Sequence, residues 1–285
     1  MKQRFTVTVE GFAPHSDVPG VIKDRLDGHY GWNVSVEAHE EPVEDVEVED
    51  SPLVSVLLPN YNFGHRVDRM LRSIRAQTIT NYELIVVDDG SDDDSIDRVR
   101  PFLGPGDRLL VHPSNLGAAE AINTAARVAT GRFMTWVSSD NEMAPDWLEK
   151  LLAAFTPDVG VVYANYDRFN DEGPQQGTWG KPYDPSRLVN DQNCFIGPAF
   201  VVRAEVWRAT GELRGKNSCD YDHWLRIEET CIRQGFRFVY LPEVLCHYYS
   251  GPERATVARR QDYDANVWQA EAKKRRGIEE AAVIS

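Results

Sequence analysis

The run Ser138-Ser139-Asp140-Asn141-Glu142 gathers hydroxyl, amide and carboxylate oxygens directly behind an apolar segment, residues 133–137. Oxygen donors of this kind suit a hard divalent cation holding a diphosphate. Residues 133–137 are aromatic and β-branched, which predicts a buried strand. Ligands of open α/β sheets sit beyond the carboxyl ends of such strands. The competing reading is an ordinary turn in which Asp140 or Asn141 caps the next helix. That helix is expected with Pro145 in its first turn and Trp147, Leu148, Leu151, Leu152 and Phe155 at helical spacing.

The elements that must position this run begin at Pro52. Residues 53–58 form a continuous apolar strand that leads into Pro59-Asn60-Tyr61-Asn62. A helix follows, with Val67, Met70, Leu71 and Ile74 on one face. A second buried strand, 83–87, ends in Asp88-Asp89-Gly90-Ser91, where Asp88 suits a cap of the Gly90-Ser91 turn. A third strand is expected at 108–112, and Asn115-Leu116-Gly117 opens an Ala-rich helix that runs to Ala129. The alternation predicts a Rossmann-like, mostly parallel α/β sheet flanked by helices. No G-x-G-x-x-G follows the first strand, which argues against a dinucleotide cofactor.

Further on, 159–164 reads as a strand, and 166–185 as a loop-rich excursion, either a lid over an acceptor or a solvated insertion. A helix beginning near Asp220 should turn Tyr221, Leu225, Cys231 and Ile232 inward, with Asp222 on a different face from Asp220. Residues 236–244 read as a strand running into Cys246-His247-Tyr248. Residues 255–280 form a charged helix expected to pack on the acceptor side or on a second subunit. Residues 1–50 look like a small α/β appendage ending in an acidic tether, 37–50.

The chain has 285 residues, 42% of them hydrophobic, enough for a sizeable core. Its formal charge of -14 argues against a broad nucleic-acid footprint. The four cysteines are scattered, which disfavours a disulfide framework or a zinc site. No apolar run is long enough to span a bilayer. The opening MKQRFTVTVEGF lacks the apolar centre of a signal peptide, so a soluble, cytoplasmic protein is expected.

SVLLPNYN, ELIVVDDGSDD, NLGAAEAINTAARVATGRFMTWVSSDNEMAPDWLEKL and the later NSCDYDHWLRI together resemble the family 2 glycosyltransferases of the GT-A fold. The resemblance spans about Pro52 to Ser250. It implies a nucleotide-binding half (52–142) and an acceptor half (143–254), with Pro59, Tyr61, Asp89, Asn115, Gly117, Ser139 and Asp140 around a nucleotide-sugar. By that likeness Tyr61 stacks on uracil and Asp89 accepts from uracil N3–H. This favours a UDP-sugar, with a dTDP-sugar second, because cytosine has no N3–H. Asp140 matches the metal-binding aspartate of the DxD signature, implying Mn²⁺ or Mg²⁺; relatives often have Asp where this chain has Ser139 and Asn141. Cys194 to Val202 resembles the segment that closes the donor-sugar pocket. Asp220 matches the catalytic base, with Cys219 in place of the usual Glu; the alternatives are an N-cap role for Asp220 or Asp222 as the base. His247 matches a residue that reaches the metal or diphosphate, and Arg254 is its rival.

The implied activity is an inverting, metal-dependent transfer of sugar to an acceptor hydroxyl on a glycan, protein, lipid or modified nucleobase. Homo-oligomerisation through the C-terminal helix is a further expectation. Two other readings are a non-catalytic nucleotide-sugar-binding protein and a sugar nucleotidyltransferase. The latter is disfavoured because Pro-Asn-Tyr-Asn stands where a Gly-rich basic loop would be needed.

Overall fold

The computed structural model describes residues 52–190, 196–215, 219–252 and 265–277. The chain divides into two compact units, Met1–Glu49 and Asp50–Ser285. The expected appendage and acidic tether, Cys194 and Arg254 lie outside the described residues.

In chain order the elements are β1 (Val54–Asn60), α1 (Gly64–Arg75), β2 (Tyr82–Asp88), α2 (Ser95–Val99), β3 (Arg108–Val111), α3 (Ala118–Val128), β4 (Phe133–Trp136) and β5 (Glu142–Met143). There follow α4 (Trp147–Ala153), β6 (Val159–Asn170), β7 (Gly173–Trp179), α5 (Pro185–Asn190), β8 (Phe200–Arg203), α6 (Ala204–Thr210), α7 (Cys219–Gln234), β9 (Arg237–Tyr249) and α8 (Ala265–Arg275). Among the described residues one nine-stranded sheet runs β3-β2-β1-β4-β8-β6-β9-β5, with β7 paired to the later part of β6, beyond its pairing with β8. Strands β3, β2, β1 and β4 are all parallel. Strand β8 is antiparallel to both of its neighbours, and β6 and β9 are parallel to each other.

Alternate residues of the parallel strands serve two cores, because successive side chains leave opposite faces of a strand. Val56, Leu58, Leu84 and Val86 pack with Val67, Met70, Leu71 and Ile74 of α1 and with Trp147 and Leu148 of α4. Leu57, Ile85, Val87 and Met134 face the other way, against Ala121, Ile122 and Ala125 of α3 and Trp207 and Trp224 of α6 and α7. Burying each large apolar side chain contributes about 1.5–3 kcal/mol. Both faces are covered, so β1 and β2 are apolar through their middles, with Ser55 and Glu83 buried as a hydrogen-bonded pair near their starts, and their carboxyl ends are free for chemistry.

Three expectations are corrected. Residues 166–179 are an antiparallel hairpin rather than an irregular excursion. Strand β9 pairs with β6 out to Phe169↔Tyr249 and keeps it extended, while the Tyr166 and Trp179 rings stack across the hairpin. Pro145 lies ahead of α4, whose N-cap position is Asp146. Ile232 is 63% exposed rather than inward, because the last turn of α7 stands in solvent, whereas Tyr221, Leu225 and Cys231 are buried. The described C-terminal helix covers Ala265–Arg275, and its end docks on α7 through Arg275 to Glu229 at 2.9 Å and, just beyond the helix, Arg276 to Glu228 at 2.6 Å.

Candidate active site

A cavity of about 200 Å³ opens at the carboxyl ends of β1, β2 and β4. Pro59 and Tyr61 line it from the end of β1, and Asp89 from the end of β2. Asn115 and Gly117, from the approach to α3, and Ser139 and Asp140, behind β4, complete the wall. The structure thus brings together all seven residues expected around a nucleotide. Tyr61 is 39% exposed, so its ring presents a face to the cavity instead of filling the core.

The two adjacent aspartates divide the work. Asp88 is fully buried and ties the turn: its Oδ1 accepts from the Ser91 N–H at 2.8 Å and its Oδ2 from the Ser91 hydroxyl at 2.8 Å. Gly90 in that turn has φ 75°, a conformation that glycine adopts without strain. Asp89 is only 3% exposed. Its Oδ1 accepts from the Leu116 N–H at 2.9 Å and meets His112 Nδ1 at 2.7 Å, while its Oδ2 accepts from the Gly117 N–H at 2.8 Å. A carboxylate offers about four acceptor positions. Three are taken, and the remaining one belongs to Oδ2.

Behind β4 the polar run also divides. The Ser139 hydroxyl donates to the Pro59 carbonyl at 3.0 Å and joins β4 to β1. Asn141 is buried, and its Oδ1 accepts from the Tyr249 N–H at 3.1 Å. The position where relatives often carry a further Asp therefore anchors β9. Asp140 is half-buried and borders both the nucleotide cavity and an adjoining cleft of about 660 Å³, which His247 also lines. His247 Nδ1 meets Asp167 at 2.7 Å, so of the two ring nitrogens Nε2 is the one that could face a cation. Among the described residues no group of three His, Cys, Asp or Glu is arranged around one point. A cation here would therefore rely on Asp140, His247, phosphate oxygens and water, a donor set that suits Mg²⁺ or Mn²⁺.

Asp220 and Asp222 occupy the first turn of α7. Asp220 is inside the helix and not its N-cap, and solvent reaches its side chain. The surrounding protein mass nevertheless pushes its carboxyl above the usual aspartate range, against the opposing pull of the Tyr221 backbone N–H. Asp222 is fully buried and clamped: Arg214 donates at 2.6 and 3.1 Å, and Arg226 at 2.8 Å. Such an anion holds structure and is closed to an acceptor hydroxyl, which removes Asp222 as a base candidate.

Sequence reasoning missed three residues. His112, whose Nε2 meets the Thr124 hydroxyl at 3.0 Å, fixes Asp89 from behind. Its place at the polar end of β3 was the available signal. Asp167 orients His247, a pairing 80 residues apart that only the β6–β9 register reveals. Tyr248, next to His247, lines the nucleotide cavity.

The chain matches the family model described as glycosyl transferase family 2 over residues 55–202. It is 31% identical over 182 residues to the UDP-Glc:alpha-D-GlcNAc-diphosphoundecaprenol beta-1,3-glucosyltransferase WfgD of Escherichia coli, covering 62% of this chain and 70% of that protein. It is 27% identical over 242 residues to the hyaluronan synthase of Pasteurella multocida, covering 79% of this chain and 25% of that protein. Another curated relative is covered over 47% of its length, so this chain spans half or less of several proteins it matches. Among solved structures, S. aureus TarS 1-349 in complex with UDP superposes with a TM-score of 0.61 at 20% identity, over 77% of this chain and 64% of that one.

Proposed function

The chain belongs to glycosyl transferase family 2 and has the GT-A fold, and on that premise we propose that it moves a sugar from a UDP-sugar to an acceptor hydroxyl with inversion at the anomeric carbon. The observation that carries this reading is the meeting of Tyr61, Asp89 and Asp140 in one cavity at the carboxyl edge of the parallel strands. Tyr61 offers its ring to uracil. The open position on Asp89 Oδ2 takes the uracil N3–H, while His112, Leu116 and Gly117 keep that carboxylate from turning away.

Asp140 and His247 would hold the divalent cation, with Asp167 fixing the imidazole. When bound, such a cation neutralises charge on a diphosphate leaving group. Asp220 takes the proton of the acceptor hydroxyl, and its raised pKa makes it a stronger base than an ordinary aspartate. A single displacement needs one base and inverts the configuration. The UDP named with WfgD and with the TarS complex supports the uridine donor.

Calorimetry with UDP, CDP, ADP and GDP, each with and without Mn²⁺, tests the reading. UDP should bind tightest and gain affinity from the cation, and Asp89→Ala should lose about 1–3 kcal/mol of UDP binding. Equal affinity for all four nucleotides would overturn the assignment.

A further inference from the structure

The β6–β7 hairpin carries side chains that the donor site leaves unused. The rings of Tyr166 and Trp179 stack at 6.2 Å and 25°, and Tyr248 meets Tyr166 edge-on at 5.7 Å. Arg168 lies 4.2 Å over the Trp179 ring. Tyr166 and Arg168 are two residues apart on β6, so they share a face; Asp167 between them turns to the opposite face and holds His247. All four side chains of the group are partly exposed. Because Tyr248 also lines the nucleotide cavity beside Asp140, the platform starts at the cavity wall. On the other side it meets Gly197, where φ is +69° and a Cβ would come within 2.6 Å of the Tyr166 ring.

Arg168 is the anomaly. Its Nε is buried with no hydrogen-bond partner, and no carboxylate pairs with its guanidinium among the described residues. Buried donors are nearly always satisfied, so an open one calls for a partner that the described residues do not provide. A guanidinium fork fits a carboxylate or phosphate in two-point contact. Aromatic faces beside it suit the apolar face of a sugar ring. Packing alone would account for the stacked rings, but not for a guanidinium with no carboxylate partner among the described residues.

We propose that Tyr166, Arg168, Trp179 and Tyr248 form an acceptor subsite for a sugar ring bearing an anionic substituent, a carboxylate or a phosphate. The assignment to the acceptor rests on the sugar-transfer reading above. Arg168 takes the anion, the rings take the sugar, and the subsite ends where the donor cavity begins.

The test is an NMR titration of the UDP-saturated protein with methyl β-D-glucoside, methyl β-D-glucuronide and glucose 6-phosphate. At least one anionic sugar should bind about tenfold more tightly than the neutral one, the worth of one charge-assisted contact. Preference for the glucuronide assigns a carboxylate, and preference for glucose 6-phosphate assigns a phosphate. Arg168→Gln should erase the preference, Arg168→Lys should keep part of it, and Trp179→Ala should weaken all three ligands. UDP affinity, unchanged in each variant, reports that the fold is intact. Absence of a preference in the native protein, or its persistence in Arg168→Gln, overturns the proposal. If UDP fails to bind the native protein while the preference still follows Arg168, the sugar-transfer reading falls and the anionic-sugar site stands.

Discussion

Asp220 and Asp222 stand two residues apart on one helix, yet the same substitution should affect them in opposite ways. Asp222→Asn removes the charge that compensates Arg214 and Arg226. The Arg214 side chain is 46% exposed and can be solvated, but Arg226 is at 13% and cannot. Removing one partner of a buried pair costs about 3–5 kcal/mol. Arg226 still donates to the Thr210 and Glu212 carbonyls, so the lower end, about 3 kcal/mol, applies. For a domain of this size that corresponds to a fall of roughly 6–12 °C in Tm. Among the described residues Asp220 has no ion-pair partner for Asp220→Asn to remove. A carboxyl whose pKa is raised by folding stabilises the fold when protonated, below the ordinary value of 3.8, and loses that contribution as pH rises through its folded pKa. The neutral amide should therefore leave Tm unchanged or slightly raised at pH 7, with the advantage vanishing in acid. Turnover, by contrast, should fall by about 10²–10⁴-fold. In the native protein, kcat/KM should decline on the acid side through a pKa above 3.8, and that limb should disappear in Asp220→Asn. The assays are tryptophan-fluorescence melting and UDP release from a UDP-sugar well below the melt. An Asp222→Asn variant that melts like the native protein and is inactive, beside an active Asp220→Asn, would refute the division of roles.

Three other substitutions bear on the site and its frame. Asp140→Ala should abolish the gain in UDP affinity caused by Mn²⁺ while leaving Tm in place, since a half-exposed residue at a strand end supports no core; calorimetry and melting check both halves. Gly197→Ala should lower Tm, because it forces a side chain into left-handed backbone and against the Tyr166 ring, a strain of about 1–3 kcal/mol. Arg276→Ala should lower Tm at pH 7 by leaving Glu228 buried with only the Tyr183 hydroxyl, 2.5 Å away. Burial holds the Glu228 carboxyl above its ordinary value of 4.5, so it favours the fold when protonated and opposes it as pH rises; the deficit should shrink in melts taken toward pH 4.5.

The parallel half of the sheet was legible because its signals are local. Strands buried on both faces read as apolar runs, as in residues 56–59 of Val54–Asn60 and 84–87 of Tyr82–Asp88, and the polar residues after them stand out by contrast. Asp88 as the cap of the Gly90-Ser91 turn was readable for the same reason, since donor and acceptor are three residues apart. The hairpin at 166–179 was not readable. Its second strand, Gly173–Trp179, is an exposed edge made of Gly, Pro, Gln and Thr ahead of a single Trp, and its extended form comes from pairing with β6 rather than from its own composition.

The same distinction explains which candidate site residues the sequence could point to. Asp140 and Tyr61 announce themselves by position after a strand, whatever the rest of the chain does. The roles of Asp167 and Arg168 depend on β9 lying beside β6 in one register, with Asp167 opposite His247 and Arg168 opposite Tyr248. A shift by one residue would exchange the two faces, placing the carboxylate among the rings and the guanidinium beside the imidazole. Within a single strand the alternation Tyr166-Asp167-Arg168 therefore assigns two adjacent charges to two tasks. The acid orients the candidate metal-side histidine, and the base, with no counter-ion among the described residues, faces the platform proposed for the acceptor. Nothing in the local sequence distinguishes that arrangement from an ordinary solvated Asp-Arg pair; the neighbouring strand decides it.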